Sequence, residues 1–322
     1  VNANISTAAN GKSGNVTIIA NDFAFNGVDD SQRDAGAATI TMASGASINA
    51  GTGGVLLHLR SGEDKTNSAN GDISLGSISA GVIKVVNHGL TAASSGISIL
   101  AGSTLTASER GYAIVLVGSR FNNQAGAGAL SVSNVSGRWF VWSGNPANDN
   151  RGGLVADFKQ YNASYGLVEV AQKSGNGFLY SVAPAINFGL TGGLVTKTYD
   201  GSNSVDLTGR SLTTGGGIDG DIVTVGFTSA LSGAYDDVNA GTGKAITING
   251  ATITAVNGAI PVYGYQLGKA SGNITPKALT VTGTTIASKT YDGTSISGAV
   301  TVGSLLGLVA GETLGAVTAN GV

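Results

Sequence analysis

The sequence predicts an all-β protein: a right-handed parallel β-helix followed by small serial β-rich modules, β-grasp-like or sandwich in kind. Three observations predict it. Gly, Ser, Thr, Asn, Val and Ile dominate, with 52 glycines in 322 residues, 4 prolines and few runs of strong helix formers. Short alternating segments repeat in groups of three. Farther along, a five-residue motif, Lys197-Thr198-Tyr199-Asp200-Gly201, recurs unchanged as Lys289-Thr290-Tyr291-Asp292-Gly293.

Three stretches carry the first repeat. Thr39–Met42, Ala46–Ala50 and Gly54–Leu59 align with Asp72–Leu75, Ser77–Ala80 and Gly81–Val86, and these with Gly96–Leu100, Ser103–Ala107 and Tyr112–Val117. Each is a short strand, a small-residue bend, a second strand, another bend and a third, more apolar strand. Repeats start at Ile40, Ile73, Ile97 and Leu130, with Ser61–Asn70 and Phe121–Gly128 read as inserted loops. Three strands per repeat with variable loops is the pattern of stacked coils, in which no coil is stable alone. Ile40, Leu56, Ile73, Ile78, Ile83, Ile97, Leu105 and Ile114 are the expected interior.

Near Arg138 the texture changes. Both tryptophans fall in Arg138-Trp139-Phe140-Val141-Trp142, with Phe158 and Tyr161 soon after. A stack of coils ends on an open face that needs a bulky cover, so these aromatics read as a cap. The competing reading is a ligand patch of Trp139, Trp142, Phe158 and Tyr161, whose rings could stack on sugars. The stretch Leu154–Tyr165 is the one helix-like candidate. The expected domains are 1–142, a β-helix; 143–183, its cap and connector; 184–275, a β module; and 276–322, part of a second module. Val1 and Val322 both fall in mid-pattern, which reads as an internal piece of a longer polypeptide.

Chemistry-bearing residues are sparse. Charged residues make up 11% of the chain, net charge is −2, and there is no cysteine, so disulfides and thiolate metal sites are excluded. Scattered basic residues argue against nucleic acid. No apolar run approaches the roughly 20 residues of a membrane-spanning helix. Glycoside hydrolysis needs paired carboxylates, and Asp72, Glu63, Asp64, Asp149 and Asp157 show no pairing on matching strands. His58 and Lys84 occupy corresponding third strands and read as a solvated face; His88 reads as a turn. Asp236, Asp237 and Asn239, with Asp219 and Asp221, suggest either a calcium site or side chains that close turns. Asp-Gly favours a tight turn, so Tyr199, Asp200, Gly201 and Tyr291, Asp292, Gly293 read as a repeated structural motif. No catalytic residue, cofactor or metal is expected.

Arg138–Ser143 with Asn145-Pro146 and Arg151-Gly152-Gly153-Leu154 resembles the segment closing the β-helix in filamentous-haemagglutinin-like exoproteins of the two-partner-secretion type. The Lys-Thr-Tyr-Asp-Gly repeats resemble YDG modules. Val262–Leu267 with Gly272–Leu279 is similar to the YGX form of mostly-β-grasp (MBG) modules. The resemblance implies a non-enzymatic adhesin stalk, secreted or on the surface of a Gram-negative cell and exported through an outer-membrane transporter. It implies a role in adhesion or biofilm, with a host-cell, glycan or matrix surface as partner. The alternative is a structural section of a self-associating extracellular filament, whose partners are copies of itself. A polysaccharide-binding or polysaccharide-degrading β-helix is the third reading.

Overall fold

The computed structural model describes residues 1–22, 36–60, 69–89 and 95–314. The chain is nearly all β and divides into two compact units. The first comprises Val1–Ile186, Gly216–Thr224 and Ile253–Gln266; the second comprises Asn187–Gly215, Val225–Thr252 and Leu267–Val322.

In the first unit, β1 (Ile5–Ser6) and β2 (Val16–Ala20) precede three repeats of three strands each. These are β3 (Ala38–Thr41), β4 (Ser47–Asn49) and β5 (Gly54–Leu59); β6 (Asn70–Leu75), β7 (Ser77–Ala80) and β8 (Val82–Asn87); and β9 (Ile97–Ile99), β10 (Leu105–Ala107) and β11 (Gly111–Val117). A further set follows: β12 (Phe121–Asn123), β13 (Leu130–Val132) and β14 (Gly137–Ser143). Strands at equivalent places pair in parallel. One sheet runs β3-β6-β9-β12, a second β1-β4-β7-β10-β13, and a third contains β2, β5, β8, β11 and β14 in that order.

The register stacks like on like. Ile40 opposes Ile73, Ile73 opposes Ile97, and Ile97 opposes Phe121. Ile48, Ile78, Leu105 and Leu130 form a second column. All eight side chains are buried in one continuous core. Because alternate residues of a strand face opposite ways, each column places aliphatic on aliphatic and removes apolar area from water at about 25 cal/mol per Å².

Three expectations need correction. The fourth repeat begins at Phe121, not Leu130: Phe121–Asn123 is a strand of the first sheet, and Leu130 lies in the second. Leu56 is only partly buried, because it shares the outward column of Lys84 and Val115, while Val55 and Leu57 fill the interior. His58 opposes Val86, so it is Leu56 that matches Lys84. Of the loops read as inserted, residues 61–68 lie outside the described residues, as do Glu63 and Asp64.

Leu154–Tyr165 is not helical. It contains β15 (Phe158–Gln160), which pairs in parallel with β16 (Gly177–Tyr180), and β16 in turn pairs with β14. Pro146–Asn148 makes one 3-10 turn, capped by Asn145 Oδ1 accepting from Ala147 N. Strand Ile260–Tyr263 lies parallel to β15 on its other side.

The second unit has its own core of Val195, Leu207, Tyr235, Ile246, Ile248, Ala270 and Ile274. Val195–Thr198 runs parallel to Gly272–Thr275, and Leu212–Gly215 runs antiparallel to Asn187–Leu190. The Tyr235 hydroxyl donates to Asn273 O at 3.1 Å, which satisfies it inside this core. Beyond Thr275, two small antiparallel pairs form, Thr280–Thr282 with Ser304–Leu306 and Thr285–Ile286 with Val300–Thr301. No described helix is long and apolar enough to cross a membrane.

Candidate functional site

The third sheet decides where the aromatic residues go. Along β14, Trp139 and Val141 join the interior core, whereas Phe140 and Trp142 face the other way. On that outer face they meet Val86, Val115, Val117, Phe158, Ala163 and Leu179 in a second, aromatic-rich cluster. The segment from Tyr161 to Asn176 lies over it. Gln160 pins this cover as a strand would: its Nε2 donates to Glu169 O at 2.9 Å, and its Oε1 accepts from Ala171 N at 2.7 Å. Arg138, itself buried, donates to the carbonyls of Gly175, Gln172 and Ser174 at 2.5, 2.9 and 3.2 Å and stacks 4.4 Å from the Phe140 ring centroid. Burial lowers its pKa from the ordinary value.

The four aromatics expected as one patch divide two and two: Trp139 and Tyr161 lie in the interior core, Phe158 and Trp142 in the outer cluster. All four are buried, and of them Trp142 lines the neighbouring cavities. A cavity of about 690 Å³ is lined by Tyr112, Arg138, Trp142, Tyr165, Glu169, Gln172 and Lys173, among others. A second, of about 240 Å³, lies between Val117–Ser119, Trp142–Gly144, Ala163–Tyr165 and Ser181. Tyr112, half exposed, and Tyr165 are the surface aromatics here, with ring centroids 6.5 and 5.1 Å from Trp142. Aromatic composition drew attention to the strand, but which ring faces out depends on register.

Within the interior column sits a charge, between Phe178 and Val262. Ile18, Leu57, Val85, Leu116, Val141 and Phe178 oppose one another in sequence, and the next place is Lys159. A lone ammonium inside a core is strongly unfavourable. Asp219 and Asp221 neutralise it: Lys159 Nζ lies 2.7 Å from Asp219 Oδ2 and also pairs with Asp221. Arg151 adds a second cation on Asp219, at 2.5 Å. Burial works against the charged form of Asp219, but the hydrogen bonds from Lys159 and Arg151 outweigh it and hold its pKa below the ordinary value.

Asp221 is fully used. Its Oδ2 accepts from the hydroxyls of Tyr161 and Tyr265 at 2.7 and 2.8 Å, and its Oδ1 accepts from Asn257 Nδ2 at 2.8 Å. Burial raises both tyrosines' pKa values, that of Tyr265 to about 12. Between the tyrosines of Tyr263-Gly264-Tyr265, Gly264 has φ +86°, and a Cβ there would meet Tyr161 O at 2.0 Å. Only glycine allows that approach, which lets Tyr161 N donate to Tyr263 O at 2.9 Å.

The acidic turns considered for calcium engage cations of the chain itself. Asp219 and Asp221 hold Lys159, and Asp236 and Asp237 hold Lys244 at 3.3 and 2.6 Å. Asp237 Oδ1 also accepts from Asn239 N, closing the turn. The other acids are likewise engaged. Asp72 pairs with Arg120 at 2.6 Å, and Asp157 Oδ2 accepts from Asn176 N at 2.6 Å. Asp149 accepts from Phe121 N and Ser143 Oγ at 2.8 and 2.7 Å; burial lifts its pKa to about 6. His58 is pushed down to about 4 by burial and then by His88, whose ring lies 4.7 Å away.

The two Tyr-Asp-Gly segments make the same turn. Lys197 Nζ and Lys289 Nζ each lie 2.7 Å from the aspartate three residues on, Asp200 and Asp292. Each aspartate accepts from the N–H two residues further, Ser202 or Thr294, at 2.9 and 3.0 Å. Gly201 and Gly293 have φ +78° and +75°. The lysine hydrogen bond, then that from Ser202, brings the Asp200 pKa down to about 2. Tyr199 is hydrogen-bonded to Glu312, whereas Tyr291 is 93% exposed. The shared chemistry is therefore the Lys–Asp–Gly turn, while the tyrosines differ in surroundings.

These features define a repetitive all-β chain of stacked parallel strands followed by a turn-repeat module. The part of it that holds the first turn is matched by a family model: a YDG domain at residues 185–261. Comparison with curated proteins and with solved structures returned no match to this chain. The matched stretch contributes residues 185–186, 216–224 and 253–261 to the first compact unit and the rest to the second.

Proposed function

We propose that this chain is a non-enzymatic segment of a Gram-negative exoprotein that works in adhesion at the cell surface. In this reading residues 1–142 are a right-handed parallel β-helical shaft, 143–183 its cap and connector, and 184–275 and 276–322 serial modules of YDG and MBG type. An outer-membrane transporter exports the parent, and the partner is a host-cell, glycan or matrix surface.

The observation that carries the reading is the columnar stacking of Ile40, Ile73, Ile97 and Phe121 and its parallels in the other sheets. Such a core grows by repetition and gives reach without new chemistry. The YDG match and the repeated lysine–aspartate turn add to it. Among the described residues, Glu169 is the one carboxylate lining either cavity beside Trp142, where glycoside hydrolysis uses two. Inert beads coated with the chain, passed over cultured cells and matrix-coated plates, test the proposal. Retention above that of beads carrying an unrelated protein is expected; equal retention overturns it, as does turnover of any polysaccharide.

One observation favours the filament reading. Beyond Thr275, Ile286, Tyr291, Ile296 and Leu306 are 60, 93, 70 and 55% exposed. Apolar side chains so placed are suited to contact with further copies. Concentration-dependent sedimentation of the purified chain separates the two: assembly into long species favours the filament, and a monomer at all concentrations removes it.

A further inference from the structure

We infer that the smaller cavity beside Trp142 is a subsite for one neutral sugar ring of an oligosaccharide, with the neighbouring rings lying along the wider cleft. The inference names the ligand class for the adhesive reading above and depends on that reading only for its biological use.

Two polar groups carry it. The indole Nε1 of Trp142 and the hydroxyl of Ser119 are buried and have no hydrogen-bond partner. Leaving such a group unsatisfied is costly, so native structures rarely do it without reason. Both residues line the same cavity. At about 240 Å³ this cavity is smaller than pockets for drug-sized ligands, which run from about 300 to 1,000 Å³. Its lining is indole, phenol, serine and small apolar groups, with no charged side chain. A pyranose ring has the matching chemistry, an apolar C–H face and a hydroxyl edge. An ionised ligand would find no counter-charge there.

The wider cavity continues the site. It shares Trp142 and Tyr165 with the small one and adds Tyr112 and the polar side chains of Glu169, Gln172 and Lys173. Tyr112, Trp142 and Tyr165 thus offer aromatic surface along the cleft, with hydrogen-bonding groups at its rim, the arrangement that amphipathic rings favour. Tyr165 stands edge-on to Trp142, its plane 74° from the indole. Neither unpartnered donor is open to water in this arrangement. A shift of the cavity wall, which Tyr165 and Trp142 form in common with the wider cleft, is what brings a sugar oxygen to them.

The test is titration of the whole chain with di-, tri- and tetrasaccharides of glucose, galactose, mannose and N-acetylglucosamine, followed by calorimetry and tryptophan fluorescence. Saturable binding of at least one series is expected. Trp142→Phe keeps a ring and loses the N–H, and should weaken that binding about tenfold or more; Ser119→Ala should weaken it about three- to tenfold. Melting should be unchanged in Ser119→Ala, which keeps the test sound if Trp142→Phe folds poorly. Absence of binding across the panel, or wild-type affinity in Ser119→Ala and in folded Trp142→Phe, overturns the inference. Bead retention without saccharide binding sinks the subsite and leaves the adhesive reading standing; saccharide binding without retention does the reverse.

Discussion

Lys159 and Asp219 lie sixty positions apart in sequence, yet the ammonium and the carboxylate meet at 2.7 Å, with the lysine side chain 2% exposed. The pair joins a strand position inside an apolar column to a segment of the YDG-matched stretch within the same compact unit. Removing one partner of a buried pair strands the other, which costs about 3–5 kcal/mol. Lys159→Ala is therefore expected to destabilise the first unit by roughly that amount. Adding Asp221→Asn to Lys159→Ala should cost less than the two single changes summed, because the second removes a charge the first left unpaired. Denaturant unfolding of the three variants checks this.

The interior columns make a sharper prediction. Ile73 is fully buried between Ile40 and Ile97. Ile73→Asp places an unpaired charge there and should cost at least about 4 kcal/mol, enough to lose the folded first unit in many domains. Leu56→Asp, one position off the interior in a neighbouring repeat, should be far milder. Equal losses in thermal melting would refute the facing assigned to the columns.

Two partly buried titrating groups pull stability in opposite directions with pH. Asp149 keeps its proton in the folded chain up to about pH 6, against an ordinary value of 3.8. Between those values the folded state binds the extra proton, so raising pH through the window destabilises it. Asp149→Asn should gain relative to the wild type from about pH 4 to above pH 6, by roughly 2–3 kcal/mol in all. His58 behaves oppositely. Its folded value of about 4 lies below the ordinary 6.5, so the unfolded chain binds more protons in between and stability rises with pH there. His58→Gln should flatten that rise. Urea midpoints at half-unit pH steps from 3.5 to 7.5 would show both signs.

The repeated turns should respond alike to a methyl group, with one difference. Gly201 and Gly293 both sit in the left-handed region, where a side chain costs about 1–2 kcal/mol. A Cβ on Gly201 would also meet Val309 Cγ1 at 2.8 Å, whereas at Gly293 nothing lies within 4 Å. Gly201→Ala is expected to destabilise more than Gly293→Ala, as hydrogen exchange of the amides around each turn would report.

Much of the strand pattern was legible because period-two alternation is a local property. Ile73, Ile78, Ile97 and Leu105 announce their facing through the polar residues beside them. Val55-Leu56-Leu57 does not, since an unbroken apolar run fixes no phase, and there the wrong residue was placed inside. Phe121-Asn122-Asn123 looks like loop because its asparagines are polar, yet Asn123 is buried, its Nδ2 donating to Gly126 O and Arg151 O. The Lys159 cluster was illegible for a different reason. A lysine amid Phe158, Gln160 and Tyr161 is visible in the sequence, but its counter-charges and the Tyr265 and Asn257 that complete them are brought in only by folding. The orphaned donors on Trp142 and Ser119 also depend on register between strands.

The lysine within the column has a consequence in time. A chain made amino end first presents Phe158, Lys159 and Gln160 before Asp219 and Asp221 exist beside them. The repeats up to Val141 contain their own apolar partners, whereas the carboxylates that pair with Lys159 lie sixty or more residues further on. Neutralising this lysine thus falls to residues of the YDG-matched stretch, which are made after it.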